Sequence, residues 1–184
     1  MSLLDDVMPE YEFAQRVAIP IHTPPASILR ALHEVTLDEM PLANGLGTIR
    51  YLPARLLGRM PAKSKEPFFE QLLRGGNVVL AERPGKEVIL GAIGKFHQVL
   101  DQEPVKLRDA AHFRSFDDPA YQKLVIDIRV ERNHHRKVVL EARTHALSDE
   151  SKRAFARYWI VIKPLGNFVS WLLLRAARRH ARRA

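Results

Sequence analysis

The sequence predicts an α+β fold, an antiparallel sheet backed by helices with one long helix last in the chain. Three observations carry this reading. Residues 124–130 and 138–144 alternate between apolar and mostly charged side chains on either side of a short turn, the pattern of a hairpin with one covered face. Residues 155–173 instead set apolar side chains three or four apart, as a helix does. Near the N-terminus, a short alternating run is followed at once by a proline-led helical segment.

At 184 residues and 46% hydrophobic, the chain can bury one substantial core, and residues 1–184 are read as a single domain. The absence of cysteine excludes disulfides, thiolate nucleophiles and Cys-held metals. Asp5, Asp6, Glu10 and Glu12 make the N-terminus unlike a signal peptide, and a cytoplasmic location is expected. The apolar stretch 158–174 is interrupted by Lys163, Pro164, Gly166 and Asn167, so it is not expected to cross a membrane.

Taken in order, residues 12–21 read as a strand with Phe13, Val17, Ile19 and Ile21 on one face. Thr23 is the expected N-cap of a helix led by Pro24 and Pro25, with Ile28, Leu29, Leu32 and Val35 on its apolar side. Residues 36–76 are broken by prolines and glycines into short pieces. Small helices are expected over 53–59 and 67–74, the second burying Phe68, Phe69, Leu72 and Leu73 and stopping at Gly75-Gly76. Strands over 77–82 and 87–98 flank the turn Arg83-Pro84-Gly85-Lys86, with Val88, Leu90, Ala92 and Phe96 sharing a face. Gly91 and Gly94 suggest a bulge or a strongly bent strand.

A short helix and a loop over 110–121 lead into the hairpin. There Leu124, Ile126, Ile128 and Val130 face Val138, Leu140, Ala142 and Thr144, while Asp127, Arg129, Glu131, Glu141 and Arg143 form an outward face of ion pairs. Ser148 to Ser151 supply an N-cap and acidic first-turn residues for the last helix. Its inward stripe reads Phe155, Trp159, Ile162, Leu165, Val169, Leu172 and Leu173, with a kink or restart expected at Pro164.

This order of elements, together with the stretches Leu3 to Phe13, Val88 to Phe96 and Phe155-Ala156-Arg157-Tyr158-Trp159, resembles the helix-grip proteins of the SRPBCC superfamily. That group includes the START lipid-transfer domains, the birch-pollen-allergen-like proteins and the polyketide cyclase/dehydrase-like proteins. The resemblance implies a curved antiparallel sheet wrapped around the long C-terminal helix, with small helices closing an apolar cavity between them. Leu90, Ala92, Phe96, Ile126, Ile128, Leu140, Ala142, Phe155, Trp159 and Ile162 are the expected lining of that cavity. Binding of a hydrophobic small molecule or lipid, with transport as an extension of it, is the expected function, without a cofactor. An enzyme of cyclase, dehydratase or hydrolase type working in the same cavity is one alternative, and an interaction protein using the basic C-terminal tail at an anionic membrane surface is another.

The chemistry readable without the resemblance is sparse. The eight histidines form no HExxH or HxH pattern, and His134-His135 falls in the hairpin turn, so no metal is expected. None of the seven serines lies in a GxSxG elbow, and no Walker or dinucleotide fingerprint occurs. Asp127, Glu131 and Glu141 are the available acid/base groups, but their alternation with arginines favours ion pairs.

Charge is distributed unevenly. Residues 151–184 carry nine Lys or Arg and no Asp or Glu, against 20 basic and 21 acidic residues before them. Arg175, Arg178, Arg179, Arg182 and Arg183 form a basic tail over 175–184, open to three roles: complementing a helix C-terminus, solubility, or contact with an anionic membrane surface. Trp171 and the leucines after it precede the arginines as in interfacial helices. No nucleic-acid partner is expected, because no aromatic-interleaved basic sheet accompanies the tail.

Overall fold

Five strands form one antiparallel sheet: β1 (Phe13–Pro20), β2 (Val78–Arg83), β3 (Glu87–Gly94), β4 (Gln122–Arg132) and β5 (Arg136–Ala146). Their order is β1-β5-β4-β3-β2, so the first strand lies beside the last. These coordinates come from a computed structural model that describes residues 2–40, 66–98, 105–132 and 135–183. The helix expected over 53–59 and Asn133-His134 of the hairpin turn lie outside the described residues.

The hairpin register sets which residues share a face. Leu124 pairs with Thr144, Ile126 with Ala142, Ile128 with Leu140 and Val130 with Val138. On β1, Val17 opposes Leu140 and Ile19 opposes Val138, while β3 places Val88 against Ile128 and Leu90 against Ile126. All these side chains point to one side, where α2 (Pro25–Glu34), α3 (Phe68–Arg74) and the long α5 (Asp149–His180) cover them. The main core there joins Ile28, Leu32 and Val35 around α2 with Leu173, Leu174 and Ala177 of α5.

The opposite side is covered as well. Short helices α1 (Leu3–Val7) and α4 (Ala110–Ser115) bring Leu4, Met8 and Phe113 onto Ile89, Ile93 and Val125, making a second core. The protein therefore has three layers, with helices on both faces of the sheet.

Local chemistry explains most element ends. The Ser2 hydroxyl accepts from the Leu4 N–H at 3.2 Å and caps α1, and Asp109 accepts from the His112 N–H at 2.7 Å to cap α4. Helix α5 starts with a reciprocal box, in which Ser151 N–H donates to Ser148 Oγ at 3.1 Å and Ser148 N–H donates to Ser151 Oγ at 3.2 Å. Helix α2 departs from expectation: Pro24, not Thr23, is the cap, and no side chain caps the helix. Pro24 adopts an extended ψ of 144° directly before Pro25, whose missing N–H needs no cap, and Thr23 Oγ1 is left buried without a partner.

The bulge lies on the other strand from the one the glycines suggest. Register slips between Val79 and Ala81 of β2, opposite Leu90 and Ile89, which places the extra residue at Leu80. Gly91 provides the room: a Cβ there would stand 2.4 Å from Leu80 Cδ1. Strand β3 ends at Gly94, so Phe96 lies beyond it in a turn, its ring against Gly94.

Helix α5 runs unbroken through Pro164. The proline is exposed, and it shares the outer side of the helix with Ile160, whose carbonyl it leaves without a donor, so water can take that place. By length and composition α5 could cross a membrane, and 28% of its most apolar 18 residues are buried.

Candidate functional site

Along α5 the packing changes character. Its C-terminal half enters the main core through Leu173, Leu174, Ala176 and Ala177. Its N-terminal half makes instead an aromatic group with β1: Phe155 meets Phe13 edge-on at 4.9 Å, and Trp159 lies 5.8 Å from Phe13 and 5.7 Å from Phe155.

This divides the residues expected to line a cavity. Leu90, Ile128 and Leu140 belong to the main core, and Ile126 packs half-buried against it. Ala92, Ala142 and Phe155 are buried yet join neither core among the described residues, and Trp159, Ile162 and the neighbouring Leu124 are only half-buried. Leu165, expected inward, is 37% exposed, because it lies about 120° round the helix from Trp159 and about 80° from Phe155.

Polar groups intrude on the same zone. Gln15 on β1 approaches Gly166 so closely that a Cβ there would stand 2.7 Å from Gln15 Oε1. Asn167 Oδ1 and Gln122 Nε2 are buried without hydrogen-bond partners, although Gln122 Oε1 accepts from the Phe96 N–H at 3.1 Å. Beside this zone a surface hollow of about 410 Å³ opens between β1 and the start of α5. Phe13 and Ala156 line it, with Glu12, Asp149, Lys152 and Arg153 around them.

The acids considered for proton transfer lie on the other face of the sheet. That face is not the solvated one its alternating charges suggest, because α1 and the chain after it cover much of it. Arg129 Nη1 donates to Asp127 Oδ2, Nη2 to Glu141 Oε2 at 2.8 Å, and Nε to Glu131 Oε1 at 2.9 Å. Arg143 binds Glu141 Oε1 at 3.0 Å, Asp5 Oδ1 at 2.9 Å and the Met8 carbonyl at 3.1 Å, with its guanidinium 4.4 Å from the Tyr11 ring centre. Glu87, also buried, accepts from Ser2 Oγ at 2.9 Å and from the Leu3 N–H at 3.0 Å.

The electrostatics follow from this burial. Asp127 is fully buried with Oδ1 unpaired, and burial lifts its carboxyl to about 7 against the opposing pull of Arg129. Burial also works against the charge on Arg129, but its hydrogen bonds to Glu141 and Asp127 more than compensate and raise its pKa. At Glu131 burial is likewise outweighed, and hydrogen bonds from Arg16 and Arg129 hold the carboxyl below its usual value. These three acids are thus bound to arginines on the side of the sheet away from α5. Among the described residues no group of three metal-ligating side chains occurs.

The arginines read as a tail continue α5 as far as His180. Arg178 donates to the Pro20 carbonyl and Arg179 to the Glu39 carbonyl, each at 3.2 Å, and His180 Nε2 lies 2.9 Å from Glu34. Ala176, Ala177 and Ala181 between them are buried. Arg175 stacks on Trp171 at 4.4 Å, while Arg182 and Arg183 are exposed.

No family model, curated protein or solved structure matches this chain. Two features were hidden from sequence reasoning. The ion network gives the same alternation whether water or α1 covers it. Gln15 carried a weak signal, as the one polar residue among Phe13, Val17 and Ile19 on the inward face of β1.

Proposed function

We propose that this protein binds a hydrophobic small molecule or lipid between the sheet and the N-terminal half of α5, entering by the hollow beside Phe13. The observation that carries the reading is the change in packing along α5. Its C-terminal half is keyed into the main core, whereas Trp159 and Ile162, with Leu124 on the sheet, stay half-open to solvent. Apolar surface left partly wet beside a hollow within the size range of ligand pockets is surface that a hydrophobic ligand would dehydrate. The unpartnered Nε2 of Gln122, on the same face of β4 as Leu124, would then meet the ligand's polar end. The strand order, first beside last with the long helix across both, supports the helix-grip reading of the fold.

Native mass spectrometry of gently purified protein, followed by displacement of a fluorescent fatty-acid probe, tests this. The expected result is a co-purified apolar molecule or saturable uptake of the probe, weakened roughly tenfold or more by Ala156→Trp, which fills the hollow. Finding neither a ligand nor uptake, or equal uptake by the variant, would overturn the proposal.

A further inference from the structure

The outer surface of α5 is apolar where a solvated helix is polar. Ile160 and Val161 are 77% and 65% exposed, and Leu165 and Phe168, at 37% and 39%, continue the strip at helical spacing. Positive charge flanks this strip at both ends. Turning about 100° per residue, the helix carries Arg153 and Arg157 on the same side before the strip, with Glu150 a turn earlier, and Arg175, Arg179 and Arg182 after it. Arg153 and Arg157 form no ion pair among the described residues, and no acid occurs from Ser151 onward. The Trp171 ring stacks on Phe168 at 6.0 Å and carries Arg175 on its face, joining the apolar strip to the second cationic end.

We propose that this face of α5 lies in the plane of an anionic lipid surface, its apolar strip at the acyl boundary and its arginines on the phosphates. Charge decides the occupant. A second copy laid on the strip, parallel or antiparallel, would set five arginines against five, with Glu150 the one acid of α5 on this side to offset them. A nucleic acid would satisfy the arginines and leave the apolar strip uncovered. The helix lies in the surface and does not span it, because Phe155, Leu173, Leu174 and Ala177 on its other side are buried within the protein.

This inference does not depend on the ligand-binding proposal, since the apolar strip and the aromatic group occupy opposite sides of α5; Arg153 alone borders both, and Val161→Asp with Phe168→Asp leaves the hollow untouched. The experiment is flotation of the full chain with vesicles of phosphatidylcholine alone, and with about a third phosphatidylglycerol, at low and raised salt. Binding to the anionic vesicles, weakened by salt, is expected. Arg153→Gln with Arg157→Gln should weaken it roughly tenfold or more, and Val161→Asp with Phe168→Asp by at least as much. All four side chains are exposed, so unchanged thermal melts would show that the variants fold. Truncation at Arg175 is unsuitable, because it removes the buried Ala176, Ala177 and Ala181. The proposal fails if the anionic vesicles are not bound, if binding survives Val161→Asp with Phe168→Asp, or if the chain self-associates through a contact that this pair abolishes.

Discussion

Replacing Asp127 with asparagine should change how the stability of this protein depends on pH more than the stability itself. Asp127 is fully buried, one of its oxygens is bound by Arg129, and the other has no partner. Its carboxyl is raised from 3.8 to about 7, chiefly by burial. The folded protein therefore favours the neutral acid. This contribution to stability is complete below the unfolded value and is lost as pH rises through about 7. For a single site with those two values, raising the pH from about 5 to about 7 removes about 2 kcal/mol. Asparagine keeps an acceptor for Arg129 and cannot ionise, and Arg129 retains Glu131 and Glu141. Urea denaturation of both proteins, followed by circular dichroism across this range, isolates the effect because every other titrating group is common to the two. The variant should gain about 2 kcal/mol relative to the parent between the two ends of the range. Parallel stability curves, or a gap that narrows with rising pH, would refute the reasoning.

Two further outcomes follow from packing. Arg143→Leu strips a cation from Glu141 and unties α1 from the sheet, so it should cost about 3–5 kcal/mol and speed proteolytic cleavage within the first twelve residues; unchanged cleavage there would show that α1 is held by its leucines alone. Gly91→Ala should cost about 1–3 kcal/mol by pushing on Leu80, and adding Leu80→Ala should recover part of that loss in chemical denaturation, whereas strictly additive costs would place the strain elsewhere.

How much could be read in advance depended on whether one pattern had one cause. The hairpin from Gln122 to Ala146 was legible because its inward residues, from Leu124 to Thr144, must alternate at a period of two in any antiparallel pair with one covered face. Ser148 announced the start of α5 for an equally local reason. The fate of the opposite face was not legible, since Asp127, Arg129 and Glu141 alternate identically whether they meet water or α1. Helix α5 posed the same difficulty in another form. Ile160, Val161 and Leu165 interleave with Trp159 and Ile162, so the segment is apolar nearly all round, and only the packed fold separates an inward side from an outward one. The charge excess of the last residues was plain in the sequence, but its division between Arg178 and Arg179, bound to backbone carbonyls, and Arg153 and Arg157, left open, required three dimensions.

The pairing of the first strand with the last has a consequence for how the protein is made. Phe13 is paired in register with Thr144, and Arg16 reaches Glu131 across 115 residues of chain. During synthesis β1 therefore leaves the ribosome long before β5 exists to receive it, carrying Val17 and Ile19 uncovered. The β4–β5 hairpin can close locally, but the sheet gains its outer strand, and α5 its bed on Phe13, only after β5 and the start of α5 have been made. A nascent chain stalled before residue 136 would thus hold an unpaired apolar strand, the form of this protein in which chaperone binding and aggregation should be greatest.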